Sequence, residues 1–171
     1  MSAPALLSDD TDGERAEAQS GSTTRVLLVC SSGGHLFQMQ ALRPAWDGME
    51  RTWVTLPGAD VEHLLAGEKV VLAHGPTNRS LRKFLRNLPI AWREIHGRRP
   101  DAVLSTGAAL AVPFFIVGKL HRRRCIYVES LTRTEGLSLS GRLVYPLADA
   151  FFVQWPTAVR GHARYSGSII G

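Results

Sequence analysis

Residues 25–42, RVLLVCSSGGHLFQMQAL, change character twice within a short span. Val26, Leu27, Leu28 and Val29 form an unbroken, half β-branched apolar run, the pattern of a strand buried on both faces of a parallel sheet. Two serines, two glycines and a histidine follow. From Leu36 onward Leu36, Met39, Gln40 and Leu42 recur at helical spacing, and Pro44 stops the run. The stretch reads as strand, small-residue turn, helix. Glycines let the backbone approach a ligand closely, and the free N–H groups of a helix start point at whatever sits there. The natural guest is an anion, a phosphate or diphosphate, although the same turn also serves as a plain strand-to-helix junction.

Outward from this unit, strands are expected at 51–56, 70–73, 101–105, 125–128 and 150–154. Helices are expected at 60–65, capped by Asp60, at 80–96, capped by Ser80, and at 109–120 and 140–147. Strands alternate with helices throughout, so the fold class is α/β: a Rossmann-like, doubly wound, mostly parallel sheet. In the common order of such sheets the first and fourth strands are neighbours where the strand order reverses, and ligands bind beyond their carboxyl ends. The turns at 31–35 and 105–109 would then meet, with Glu129 and Ser130 beside them. No Gly-Lys-Ser/Thr follows the glycines, which excludes a P-loop. The G-x-G-x-x-G spacing and an acid after the second strand are both missing, which argues against a dinucleotide site.

The chain has 171 residues, enough for one domain at 25–171. Residues 1–24 hold five acids against Arg15 and lack an apolar period, so they read as a disordered acidic tail rather than a signal peptide. With that tail at −4, the overall +5 leaves +9 on the rest. Cys30 and Cys125 sit inside apolar runs, as buried reduced thiols do, and nothing in the motifs calls for a metal or a cofactor. The most apolar stretch, 108–118, is too short to span a bilayer; it reads as a buried helix or as a membrane contact. In 78–99, Arg79, Arg82, Lys83, Arg86, Arg93, Arg98 and Arg99 face one acid, Glu94, and Leu81, Phe84, Leu85, Leu88, Trp92 and Ile95 form an apolar stripe. Together with Arg122 and Arg123 this suits either a solvated face or an anionic membrane surface. Nucleic acid is a poor partner, since no stacking platform or recognition motif accompanies the charge.

The segments SSGGHLFQM, STGAALAVPF, YVESLTRTEGLSLSGRLVYPLADAFFVQWP and YSGSI resemble, in series, one family. It is the acceptor-side subunit of the two-component UDP-N-acetylglucosamine transferase of dolichol-linked oligosaccharide synthesis, with counterparts in bacterial exopolysaccharide and capsule systems. The Gly-Gly-His loop is also similar to that of the peptidoglycan lipid-intermediate glycosyltransferase. The resemblance implies the N-terminal half of a split GT-B enzyme, active only with a separate donor-binding chain. It implies transfer of N-acetylglucosamine or a related hexose from a UDP-sugar to a polyprenyl-diphosphate-linked sugar. A place in the cytoplasm, peripheral on the inner face of the cell membrane, follows from the same likeness. Eukaryotic members open with a membrane-spanning helix and this chain opens with an acidic tail, the pattern of a bacterial member.

On this reading Ser32, Gly33, Gly34, Thr106, Gly107 and Arg133 hold the acceptor diphosphate. His35 is a general base for the attacking hydroxyl, a hydrogen-bond donor to the diphosphate, or a cap of its own helix. Glu129 takes the hydroxyl proton, fixes the sugar, or simply pairs with Arg133. Asp149 and Gln154 terminate elements, and Gln154-Trp155-Pro156 faces the partner domain. Arg82, Lys83, Arg86, Trp92, Arg122 and Arg123 meet the membrane. The alternative is a non-catalytic membrane anchor that recruits and positions the catalytic partner.

Overall fold

A run such as 26–29 has no polar side to turn to water, so it is stable only where both faces of a sheet are covered. The computed structural model, which describes residues 23–75 and 81–169, builds such a sheet. Its strands are β1 (Arg25–Val29), β2 (Glu50–Thr55), β3 (Val70–Leu72), β4 (Ala102–Ser105), β5 (Arg124–Val128), β6 (Ala150–Val153) and β7 (Ala163–Tyr165). They lie in the order β3-β2-β1-β4-β5-β6-β7 with every pairing parallel. Val26 faces Ala102 and Val29 faces Ser105, so β1 and β4 are neighbours and the strand order reverses between them, as expected. β7 was not expected: it is three residues long and buries only Ala163, which leaves no periodic signal.

Five α-helices connect the strands among the described residues: α1 (Gly34–Ala41), α2 (Ala59–Leu64), α3 (Leu81–Arg98), α4 (Ala111–Leu120) and α5 (Leu139–Val144). On one face of the sheet, Leu36 and Met39 of α1 and Val61 of α2 pack with Trp46 and Trp53, whose rings meet edge to face at 5.3 Å. On the other, Ala91 and Ile95 of α3 and Phe114 and Phe115 of α4 pack on Val103, Tyr127 and Phe151. The apolar stretch at 108–118 is therefore a core helix and not a membrane contact. On the α1 side, β4–β6 are left with an apolar groove of about 560 Å³, lined by Leu42, Trp46, Ile126, Val128 and Phe152. Most of the acidic tail, Arg79 and the expected cap Ser80 lie outside the described residues.

One sequence expectation about element ends holds. Asp149 accepts the Cys125 amide at 2.7 Å and the Lys119 ammonium at 2.7 Å, pinning β5 to the end of α4. Gln154 accepts the Ile169 amide at 3.0 Å. Both cysteines are buried and unpaired, and burial pushes each thiol up to about 12, so neither is a nucleophile at neutral pH.

Helix α4 comes close to the sheet at Gly118, where a Cβ would lie 2.9 Å from Cys125 Sγ and 3.5 Å from Val103 Cγ2. Gly118→Ala should therefore destabilise the chain by about 1–3 kcal/mol through overpacking. Adding Cys125→Ala should recover much of that loss. Urea unfolding of the single and double variants checks it.

Candidate functional site

At the end of β1 the chain turns through Ser31–Gly33. Gly33 has φ +79° and ψ −138°, a backbone region open to glycine alone, and α1 begins at the next residue. The first intrahelical bond runs from the Phe37 amide to the Gly33 carbonyl at 3.1 Å, so the amides of Gly34, His35 and Leu36 have no acceptor four residues back. A Cβ on Gly34 would point into open space. Packing does not require glycine there, whereas an approaching ligand would.

His35 ties this turn to the one after β4. Its Nδ1 lies 2.8 Å from the Thr106 carbonyl, and the Thr106 hydroxyl donates to the His35 carbonyl at 2.7 Å. A carbonyl only accepts, so Nδ1 carries a proton, and in the neutral ring the lone pair is on Nε2. The expected meeting of the two turns is thus a reciprocal hydrogen-bonded pair. Gly107, at φ +121°, packs on the ring: a Cβ there would lie 2.6 Å from His35 Cε1 and 2.8 Å from Nδ1. Ala108 follows with φ +69°, a strained conformation for a residue with a side chain.

Several expected ligand contacts are taken by the protein itself. The Gly33 amide donates to Asp60 Oδ2 at 2.6 Å. Asp60 is not the cap of α2, whose N-cap is Gly58; it sits in the first turn and reaches back across the sheet edge. A Cβ on Gly58 would collide with Asp60 Oδ1 and lie 3.1 Å from Ser32 Cβ, so the loop after β2 closes tightly on the Gly-Gly turn. The Gly107 amide goes to Ser105 Oγ at 3.2 Å. Thr106 is buried and spends its hydroxyl on His35. Three first-turn amides of α1 remain for an anion, from Gly34, His35 and Leu36.

Glu129 stands at the third turn, after β5, but turns inward. It is 1% exposed; Oε1 accepts the Ser130 amide at 2.9 Å, and Oε2 accepts the Ser138 amide at 3.0 Å and hydroxyl at 3.1 Å. Ser138 in turn caps α5 through the Gly141 amide. Glu129 therefore folds the 130–138 loop back on itself, with both carboxylate oxygens already engaged there. Arg133 is exposed on that loop and pairs with no acid among the described residues, so the expected Glu129–Arg133 pair does not form. Behind it, burial and the neighbouring Glu129 charge push the Tyr127 phenol up to about 12.

Helix α3 separates what the sequence joined. Phe84, Leu88, Ala91 and Ile95 pack on the core, while Leu81, Leu85 and Trp92 face outward with Arg82 and Arg86. Glu94 is buried and held by Arg93 and Arg98; burial alone would raise its carboxyl, but those two hydrogen bonds outweigh it and hold it low. Trp92 stacks on His96 at 5.8 Å and meets His121 edge-on at 4.7 Å. That contact joins α3 to Leu120 and Arg122, both exposed, in one basic and apolar surface. Lys83 and Arg123 are half-buried, less available than expected. Among the described residues no helix is long and apolar enough to cross a membrane.

Comparison with known proteins gives a family and a fold. The family model described as "oligosaccharide biosynthesis protein Alg14 like" matches residues 70–169. The UDP-N-acetylglucosamine transferase subunit ALG14 of Eremothecium gossypii is 29% identical, over 98% of this chain and 90% of its own. Its namesake in Cryptococcus neoformans is 30% identical, over 77% and 73%. Among solved structures, Acinetobacter baumannii MurG aligns over 83% of this chain with a TM-score of 0.67 at 17% identity. A UDP-N-acetylglucosamine 2-epimerase from Rickettsia bellii aligns over 87% with 0.68 at 11% identity. The chain spans 45% and 46% of those two structures. At such identities they establish the fold, the Rossmann-like N-terminal half of the GT-B arrangement.

The contact between Gly107 and the imidazole gives a direct check. Gly107→Ala should force the His35 ring out of its place against Thr106 and add backbone strain of about 1–3 kcal/mol. The His35 ring signals in NMR should move while amide signals of β2 and β3 stay put.

Proposed function

The chain belongs to the Alg14-like family of oligosaccharide biosynthesis proteins, and on that premise we propose that it is the acceptor-binding subunit of a two-component glycosyltransferase. Its partner chain binds the UDP-sugar, N-acetylglucosamine or a related hexose. This chain holds a polyprenyl-diphosphate-linked sugar at the carboxyl edge of β1, β4 and β5. The observation that carries the reading is the reciprocal pair between His35 and Thr106, which fixes a base beside three free amides.

The diphosphate is held by the amides of Gly34, His35 and Leu36, where the helix dipole favours an anion, with Arg133 able to swing in from the 130–138 loop. Gly33, Thr106 and Gly107 spend their polar groups within the protein and shape the cradle, while Ser32, beside them, adds its own to the diphosphate. With Nδ1–H held by the Thr106 carbonyl, Nε2 accepts the proton of the attacking acceptor hydroxyl. That oxygen bonds to the anomeric carbon of the donor sugar as the carbon–oxygen bond to UDP breaks, and UDP leaves on the partner. Glu129 acts as a positioning residue that sets the loop carrying Ser130 and Arg133. Exposed Phe37, Leu139, Trp155 and Val159 supply the apolar contact for the partner domain.

The outward stripe of α3 supports peripheral attachment to an anionic membrane surface, on the cytoplasmic face where UDP-sugars are supplied. A pure anchor uses that same surface and leaves His35 idle, so one substitution separates the readings. In the reconstituted pair, His35→Ala should lower turnover about 10²–10⁴-fold with complex formation and acceptor KM largely kept. Near-normal turnover would favour the anchor.

The surface reading has its own check. Replacing Arg82 and Arg86 by Gln should weaken binding to vesicles containing anionic lipid by roughly 30-fold, at about 1 kcal/mol per cation. Binding of the unaltered chain should also fall as salt rises. Equal binding to neutral vesicles at all salt concentrations would contradict it.

A further inference from the structure

Gln38 lies on α1 one turn beyond His35, on the same side of the helix. It is buried, its Nε2 sits 3.5 Å from Ser130 Oγ, and its Oε1 has no partner. Turning the amide over would give the serine to the oxygen and strip the nitrogen instead, so one end stays unmatched either way. A half-matched buried amide costs stability, and an apolar residue of the same length would suit the neighbouring Leu36 and Met39 better. From Gln38 the polar groups continue outward. Ser130 Oγ lies 3.0 Å from Thr132 Oγ1 and 3.4 Å from the Thr132 amide, and Thr132 is exposed.

We infer that Gln38, with Ser130 and Thr132, reads the hydroxyl groups of the sugar attached to the acceptor diphosphate. The inference rests on the acceptor reading given above. A primary amide and two hydroxyls can each donate or accept, carry no charge, and so match hydroxyls rather than phosphate. Their place fits: the turn after β5 that carries Ser130 neighbours the turn after β4 that holds His35, and Gln38 joins α1 to it. A buried polar group that only substrate completes is also a source of specificity, because an analogue lacking the matching hydroxyl leaves it unpaired.

The test titrates two probes into the folded chain, followed by NMR: inorganic pyrophosphate and N-acetylglucosamine 1-diphosphate. The unaltered chain should bind both, the sugar-bearing probe more tightly. Gln38→Met should weaken only the sugar-bearing probe, by about three- to tenfold, while raising the melting temperature because the unmatched amide is gone. Ser130→Ala should show the same selective loss, and it decides the matter if Gln38→Met fails to fold. A lower melting temperature with sugar affinity kept would make Gln38 a structural amide and overturn the inference. Equal weakening of both probes, or no sugar preference in the unaltered chain, would also overturn it and leave the cradle standing. No binding of either probe by the unaltered chain would overturn the cradle and this inference together.

Discussion

Two hydrogen bonds running in opposite directions between His35 and Thr106 hold the working edge of this protein together. They join the turn after β1 to the turn after β4, at the one place where a doubly wound sheet reverses its strand order. Their directions also decide the chemistry. Because a backbone carbonyl must accept, the imidazole is fixed in one tautomer with its lone pair on Nε2. The close pack of Gly107 on the ring and the left-handed backbone of Ala108 follow from the need to bring that turn under the histidine. Strain at these residues is stable only because the sheet on either side over-determines their positions.

Around this pair the protein satisfies its own polar groups and leaves a few open. Asp60 takes the Gly33 amide, Ser105 takes the Gly107 amide, and Glu129 takes three donors of the following loop. What remains includes the first-turn amides of α1, Nε2 of His35, the Arg133 guanidinium and the buried Oε1 of Gln38. Such selective satisfaction restricts where an anion can settle. It also places a carboxylate, Asp60, at the rim of the cradle, which disfavours anions seated too far toward β2.

The sheet and its switch point were legible because they are written in local patterns. Unbroken apolar runs read as interior strands, and small-residue turns after the first, fourth and fifth of them mark the edge where the proposed site lies. The details of the site were not legible, because each depends on a partner remote in sequence. Asp60 reads as a helix cap from its neighbours, yet its partner Gly33 lies 27 residues away. Glu129 sits beside an exposed-looking serine-rich loop, and only the fold of that loop, capped at Ser138, buries it. On α3 one apolar stripe was visible where there are two, because a long helix with both an inward and an outward apolar face blurs a single period. Gln38 reads as one more helical position, and its meaning comes from Ser130 across the sheet edge.

The proposed function divides the labour: this chain would hold the acceptor, and the donor would belong to its partner. Calorimetric titration of the chain alone with UDP-N-acetylglucosamine tests it most directly. The lone chain should give no saturable heat, and saturable binding should appear once the donor-binding partner is added. Tight binding of the nucleotide sugar by the lone chain would contradict it.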